Sequence, residues 1–368
     1  MASHLNLYPL NQFKMRHGGE LNEAILAYET WGELNDNKDN AILILTGLSA
    51  DSHVASHHQD KHDTAGWWEN MLGPGLPIDS TKWFIICASS LGSCKGSTGP
   101  CSPNPGTKES YKFFFPDLTL EDIANSSYEV VQSLGIDKLA CLIGPSMGGM
   151  TSLALLLQHP NASHHMINIA AGCHSEPFST AIRSLQREAI LTDVNFNNGN
   201  YSSDQWPRQG MKNARKIGML SYRSAAEWKE KFPRSLRQRP HKPFGHEFPV
   251  ESYLEHHAEK FVHQFDPISY IYLSRAMDWF DADDYKQNES DNPMQHVNLD
   301  SALVMGASTD FLFLPSQQET IAKLLTETGC KTQLEITDSI QGHDAFLVDQ
   351  ENYGRIIGKY LKQILSAK

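Results

Sequence analysis

The stretch LACLIGPSMGGMTSLALLL, residues 139–157, constrains this chain more than any other. It opens with an apolar run that has no polar alternation, the pattern of a strand buried on both faces. A helical run from Met147 to His159 follows, stopped by Pro160. Between the two lies Gly144-Pro145-Ser146-Met147-Gly148, which matches G-x-S-x-G. On a sharp strand-to-helix turn the neighbours of the serine must lack bulk, so that strand and helix can approach. Such a turn lifts a serine hydroxyl out of the sheet and aims the next backbone N–H, that of Met147, at the same point. The motif alone is common; its strand–turn–helix setting makes it informative.

The same rhythm recurs on both sides. Apolar runs at Ala41 to Thr46, Trp83 to Ser90 and Met166 to Gly172 read as strands. Leu118 to Leu134 reads as a helix, with Leu120, Ile123, Ala124, Ser127, Val130, Val131 and Leu134 at helical spacing. Alternating buried strands and helices predict a parallel sheet covered on both faces. From His174 to Asn292 no long apolar run appears, and helical patterns take over at 178–191, 210–217, 225–232, 250–265 and 270–280. Strand and helix patterns return at 302–308, 315–327, 332–337 and 352–365. The expected organisation is an α/β core over 1–173 and 293–368, with a helical lid inserted at 174–292.

The serine must have partners. A hydroxyl is a poor nucleophile at neutral pH and needs a base, itself oriented by an acid. In enzymes with a G-x-S-x-G elbow the acid follows a late strand and the histidine lies beyond the last one. Asp310 directly follows the strand-like ALVMGAST, and His343 lies in the loop DSIQGHDAF after TQLEIT. Asp338 is a rival acid, but it follows the wrong strand. The pattern therefore predicts an α/β-hydrolase fold with the triad Ser146, Asp310 and His343. The second oxyanion donor is assigned to the N–H of Leu48, in the loop after the 41–46 strand.

Composition narrows the setting. The 368 residues carry a formal charge of −12 and no basic block, which argues against a nucleic-acid partner. The most cationic stretch, Arg234 to Lys242, reads as a solvated loop. No run approaches the ~20 apolar residues of a membrane span, and the N-terminus lacks the apolar core of a signal peptide. A soluble cytoplasmic protein is expected, with its six cysteines as buried reduced thiols. His53, His57, His58 and His62 form a cluster without a matching acidic or cysteine set, so no metal site is assigned. Trp67-Trp68 and Trp279-Phe280 read as packing anchors.

Several longer segments, AYETWGELN, AGWWENMLGPGLPID, SLGSCKGSTGPCSPNP, FPDLTLED, GPSMGGM, ARKIGMLSYRS and QGHDAFLVD, together resemble the homoserine O-acyltransferases. AIRSLQREAI, FPVESYLEHHAEKFVHQFDP and YLSRAMDWFD are similar to the branch that uses succinyl-CoA, the serine O-succinyltransferases in particular. The resemblance implies an acyl-CoA-dependent enzyme, a homodimer with the lid at its interface, and no cofactor beyond succinyl-CoA or acetyl-CoA as donor substrate. It also implies Arg215 for the amino acid's carboxylate and Asp344 for its ammonium. A succinyl group ends in a carboxylate that is costly to bury unpaired. Arg183 and Arg187 are the candidate partners, and Arg183, one turn earlier, is preferred. L-serine is the expected acceptor. Homoserine as acceptor, acetyl-CoA as donor, a plain esterase and a non-catalytic module stand as alternatives.

Overall fold

The computed structural model describes residues 5–57, 65–235 and 245–366. His58 and His62 of the histidine cluster, and residues 236–242 of the cationic stretch, lie outside the described residues. An eight-stranded sheet forms the centre. Its strands are β1 (Asn6–Leu10), β2 (Ala24–Trp31), β3 (Ala41–Leu45), β4 (Phe84–Ala88), β5 (Leu139–Pro145), β6 (Ser163–Ile169), β7 (Ser301–Ala307) and β8 (Lys331–Thr337). They lie in the order β1-β2-β4-β3-β5-β6-β7-β8. The β1–β2 and β2–β4 pairs are antiparallel, and every other pair is parallel.

The apolar strands feed two cores. Side chains alternate across a strand, so Leu43 and Leu45 join the cluster on one face while Ile42 and Ile44 join the cluster on the other. The first core is covered by α1 (Leu120–Ser133) and α2 (Met147–Gln158). α1 starts at a capping box in which Thr119 and Asp122 satisfy each other's backbone N–H groups.

Among the described residues, five α-helices stand between β6 and β7: α3 (Pro177–Leu191), α4 (Arg208–Tyr222), α5 (Ala225–Lys231), α6 (Pro249–Phe261) and α7 (Pro267–Trp279). An antiparallel bridge between His174 and Asp281 pins their base shut, earlier in the chain than residue 292. Among the described residues these helices form no separate apolar cluster. Ile190, Met211, Phe265, Ile268 and Leu273 belong to the same apolar cluster as α1 and α2. After β7 comes α8 (Pro315–Glu327), and α9 (Gln350–Ser366) closes the second face, with Ile357 and Leu361 packed among Ile44, Ile143 and Met305.

The antiparallel pair β1–β2 has no counterpart in the sequence reading. β2 is an interior strand whose apolar run, Ala24 to Tyr28, is followed by Glu29 and Thr30, and β1 is short and carries Pro9. All six cysteines are free, but Cys101 is exposed and Cys94 half-buried, so only four fit the buried-thiol expectation. Among the described residues no helix is long and apolar enough to cross a membrane.

The junction of β5 and α2 is tight. A Cβ on Gly148 would lie 2.1 Å from the Leu45 carbonyl oxygen, and one on Gly144 would lie 2.2 Å from the Gly148 carbonyl oxygen. Backbone cannot yield as a flexible side-chain tip does. Gly148→Ala is therefore expected to destabilise the fold by about 3 kcal/mol, read as a lowered midpoint in thermal and urea melts. An unchanged midpoint would show that the strand–helix contact can relax.

Candidate active site

Ser146 sits at the β5–α2 junction with φ 56° and ψ −124°. A non-glycine residue there carries strain of about 1–3 kcal/mol. Its N–H donates to the Ile169 carbonyl at 2.8 Å, and the Gly149 N–H donates to its own carbonyl at 2.9 Å. The turn is held from both sides. Met147 begins α2, so its N–H has no partner inside the helix. Leu48 follows β3 and lines the same cavity as Ser146.

His343 Nε2 lies 2.8 Å from Ser146 Oγ, and Nδ1 lies 2.8 Å from Asp310 Oδ2. The other Asp310 oxygen accepts the N–H groups of Leu312 and Phe313, both at 2.9 Å. The Thr309 hydroxyl donates to the Ser339 carbonyl at 2.6 Å and accepts the Gly342 N–H at 3.1 Å, tying the aspartate turn to the histidine loop. Asp338 points elsewhere; it is exposed and accepts from Ser308. The His343 ring stacks on Phe313 at 5.2 Å and meets Phe346 edge-on at 5.9 Å. Burial works against the imidazolium. The charge and hydrogen bond of Asp310, with help from Asp344, outweigh it, while Arg183 opposes them. The net effect raises His343 above the ordinary imidazole value.

The cavity over Ser146 has a volume of about 280 Å³, with Arg183, Arg215, Tyr222 and Asp344 in its walls. The Arg215 guanidinium lies 4.7 Å from the Phe261 ring centre, and its buried Nε has no hydrogen-bond partner. Asp344 is not a free acid, because Arg223 Nε donates to its Oδ2 at 2.9 Å. Arg183 is 5% exposed, with Nε on Asp278 at 2.7 Å and Nη2 on Ser175 at 2.6 Å. Arg187 reaches the other Asp278 oxygen at 2.7 Å, behind the cavity wall. Trp68 is the packing anchor expected of it, with its indole N–H on the Phe346 carbonyl; Trp67 instead lines the cavity. Phe280 is buried, but Trp279 is half-exposed under Arg275.

His53 and His57 both face Glu29, at 3.1 and 3.4 Å. Among the described residues no group of three His, Cys, Asp or Glu side chains is arranged to hold a metal. A larger groove of about 1220 Å³ runs along α9 past Arg355 and Lys359, but it holds no nucleophile–base pair.

Comparison with known proteins places the chain in a family. The α/β-hydrolase fold profile matches residues 40–350. A curated serine O-succinyltransferase from Frateuria aurantia is 50% identical over 355 residues, 96% of each chain. The chain belongs to the serine O-succinyltransferase family. It is thus an acyltransferase on the α/β-hydrolase fold. The solved homoserine O-acetyltransferase from Bacillus anthracis shares the fold, with a TM-score of 0.89 at 24% identity over 97% of each chain. So does esterase E22, with a TM-score of 0.87 at 25% identity over 97% of this chain and 99% of that one. One scaffold therefore carries proteins named for transfer to an acceptor and proteins named for ester hydrolysis. The fold by itself does not separate transfer from hydrolysis.

Asp278, Arg223 and Glu227 escaped the sequence reading. Arg223 and Glu227 stand four apart, the spacing of a helical ion pair, and that was their one local signal. Asp278 meets Arg183 only because α3 packs on α7.

A base must be neutral to accept a proton. With His343 raised, acylation of Ser146 is expected to switch on with a midpoint above the usual imidazole range. Asp344→Asn removes one of the charges that raise it, so the midpoint of the acylation half-reaction should fall in a pH series. A midpoint that stays or climbs would contradict that influence.

Proposed function

We propose that this enzyme transfers a succinyl group from succinyl-CoA to the hydroxyl of L-serine through an acylated Ser146. The supporting observation is the charge inventory of the cavity walls. Arg183 and Arg187 share a single carboxylate, Asp278, leaving one positive charge in excess. Arg215 has no carboxylate partner among the described residues, a second positive charge. Arg223 is shared by Asp344 and Glu227, leaving one negative charge in excess. O-succinyl-L-serine carries two carboxylates and one ammonium, one for each. O-acetyl-L-serine would leave a buried guanidinium uncompensated.

In this reading His343 takes the Ser146 proton as Oγ attacks the thioester carbon. The Met147 and Leu48 N–H groups stabilise the oxyanion. The tetrahedral adduct collapses, the C–S bond breaks, and the thiolate of CoA leaves with the proton from His343. L-serine then enters, its carboxylate on Arg215 and its ammonium on Asp344. Its hydroxyl gives its proton to His343 and attacks the acyl ester, and Ser146 regains the proton on release. Walls that seat an amino acid and exclude water favour transfer over hydrolysis. The cytoplasmic setting belongs to the same proposal, and so does a homodimer paired through the insertion. The exposed apolar side chains Phe178 and Leu185 of α3 and Leu220 of α4 support that pairing.

The test is release of CoA with succinyl-CoA or acetyl-CoA crossed with L-serine, L-homoserine or no acceptor. Sustained release is expected only with succinyl-CoA plus L-serine, while succinyl-CoA alone should give a burst of one CoA per active site. Sustained turnover without an acceptor would make the enzyme a hydrolase, and a preference for homoserine would change the product. Arg183→Ala should cut kcat/KM for succinyl-CoA about thirtyfold, the loss of one hydrogen bond to a charged group. Equal losses with acetyl-CoA would remove Arg183 as the carboxylate's partner.

A further inference from the structure

Arg223 directly follows α4, Ser224 caps the start of α5, and Glu227 lies in the first turn of α5. Between them and Asp344 runs one chain of charge. Arg223 Nε donates to Asp344 Oδ2 at 2.9 Å, and Nη1 donates to Glu227 Oε1 at 2.5 Å. Burial disfavours the Arg223 charge, but Asp344 and Glu227 together outweigh that and hold it firmly cationic. Glu227 is 8% exposed, and its second oxygen is buried without a hydrogen-bond partner. It does not line the cavity over Ser146. It faces a separate cleft of about 450 Å³ on the far side of Arg223.

A buried carboxylate with an oxygen unpaired is costly, and a plain Arg223–Asp344 pair would hold α5 to the histidine loop without it. That pair alone, however, would be neutral. A neutralised aspartate offers little to an ammonium. We infer that Glu227 is a positioning residue: by occupying one arm of Arg223 it leaves Asp344 with the negative charge that binds the acceptor's ammonium. The inference rests on the proposed role of Asp344 in seating L-serine.

The elements are locked together closely enough for this to work. The Ser224 hydroxyl donates to the Ile340 carbonyl, and its oxygen accepts the Glu227 N–H at 3.1 Å. Gly342, at φ +66°, lets the histidine loop press on this junction; a Cβ there would lie 2.8 Å from the Ser224 nitrogen and 3.0 Å from the Tyr222 carbonyl oxygen. The Arg223 guanidinium thus has a fixed seat, and what varies is how its charge is divided.

The experiment uses the full-length enzyme with Glu227→Gln and Glu227→Asp. Gln keeps the shape and the Oε1 acceptor but loses the charge; Asp keeps the charge but shortens the reach. KM for L-serine should rise about tenfold in Glu227→Gln, with KM for succinyl-CoA and the CoA burst unchanged. The inhibition constant of 3-hydroxypropanoate, which is L-serine without its ammonium, should stay as it was. Glu227→Asp should remain within about threefold of the unaltered enzyme on every constant. A larger defect in Asp than in Gln would make Glu227 a packing residue and overturn the inference. So would a parallel loss of L-serine and 3-hydroxypropanoate binding, or an unchanged KM for L-serine in Glu227→Gln. If the unaltered enzyme forms no acyl-enzyme from succinyl-CoA or gives none to L-serine, the reading beneath fails first and this one falls with it.

Discussion

Everything at the catalytic end depends on how closely α2 approaches the end of β3. Gly148 faces the Leu45 carbonyl with no room for a Cβ, and that contact lets the chain reverse at Ser146 with a positive φ. The strain is held by the hydrogen bond from the Ser146 N–H to β6 and by the helix that starts one residue later. Because β3, β5, β7 and β8 run parallel, the turns after them open at the same edge of the sheet. Leu48, Ser146, Asp310 and His343 are the residues those turns present, and ligand sites of α/β sheets form at that edge.

The helices between β6 and β7 supply charged side chains around the nucleophile. α3, α4, α6 and α7 each add side chains to the sheet's apolar core. α3 and α7 bring two arginines onto Asp278, α4 supplies Arg215, and the α4–α5 junction sets Arg223 against Asp344. No charge in these walls is simply cancelled by one partner. Unequal sharing in a low-dielectric environment leaves charges that their protein partners do not fully offset. Gly342 links the two halves, since it lets the histidine loop lie directly on the insertion's backbone.

The fold was legible in the central strands because a strand covered on both faces must be apolar at every position. β1 lacked that signal because it is a short edge strand with Asn6 and Leu7 exposed, and the apolar run of β2 ends at the buried Glu29. The helical stretch between β6 and β7 was visible as a loss of strand rhythm, while its closed base at His174 and Asp281 depends on a bridge between distant residues. Trp67 and Trp68 are neighbours of one type, yet one fills the core and one lines the cavity. Their order in the chain says nothing about which.

By itself the sequence pointed to Ser146, Met147, Asp310, His343 and Leu48, and of these the structure joins Ser146, His343 and Asp310 by hydrogen bonds. Each follows directly from local chemistry: a glycine-flanked serine between strand and helix, or a loop at a known place in the strand order. Only the tertiary structure decided that Arg183 shares Asp278 with Arg187, and that Arg223 divides its charge between Asp344 and Glu227. Those pairings cross from one helix to another or from a helix to a loop. The net charge at a point in space depends on neighbours that sequence spacing does not specify.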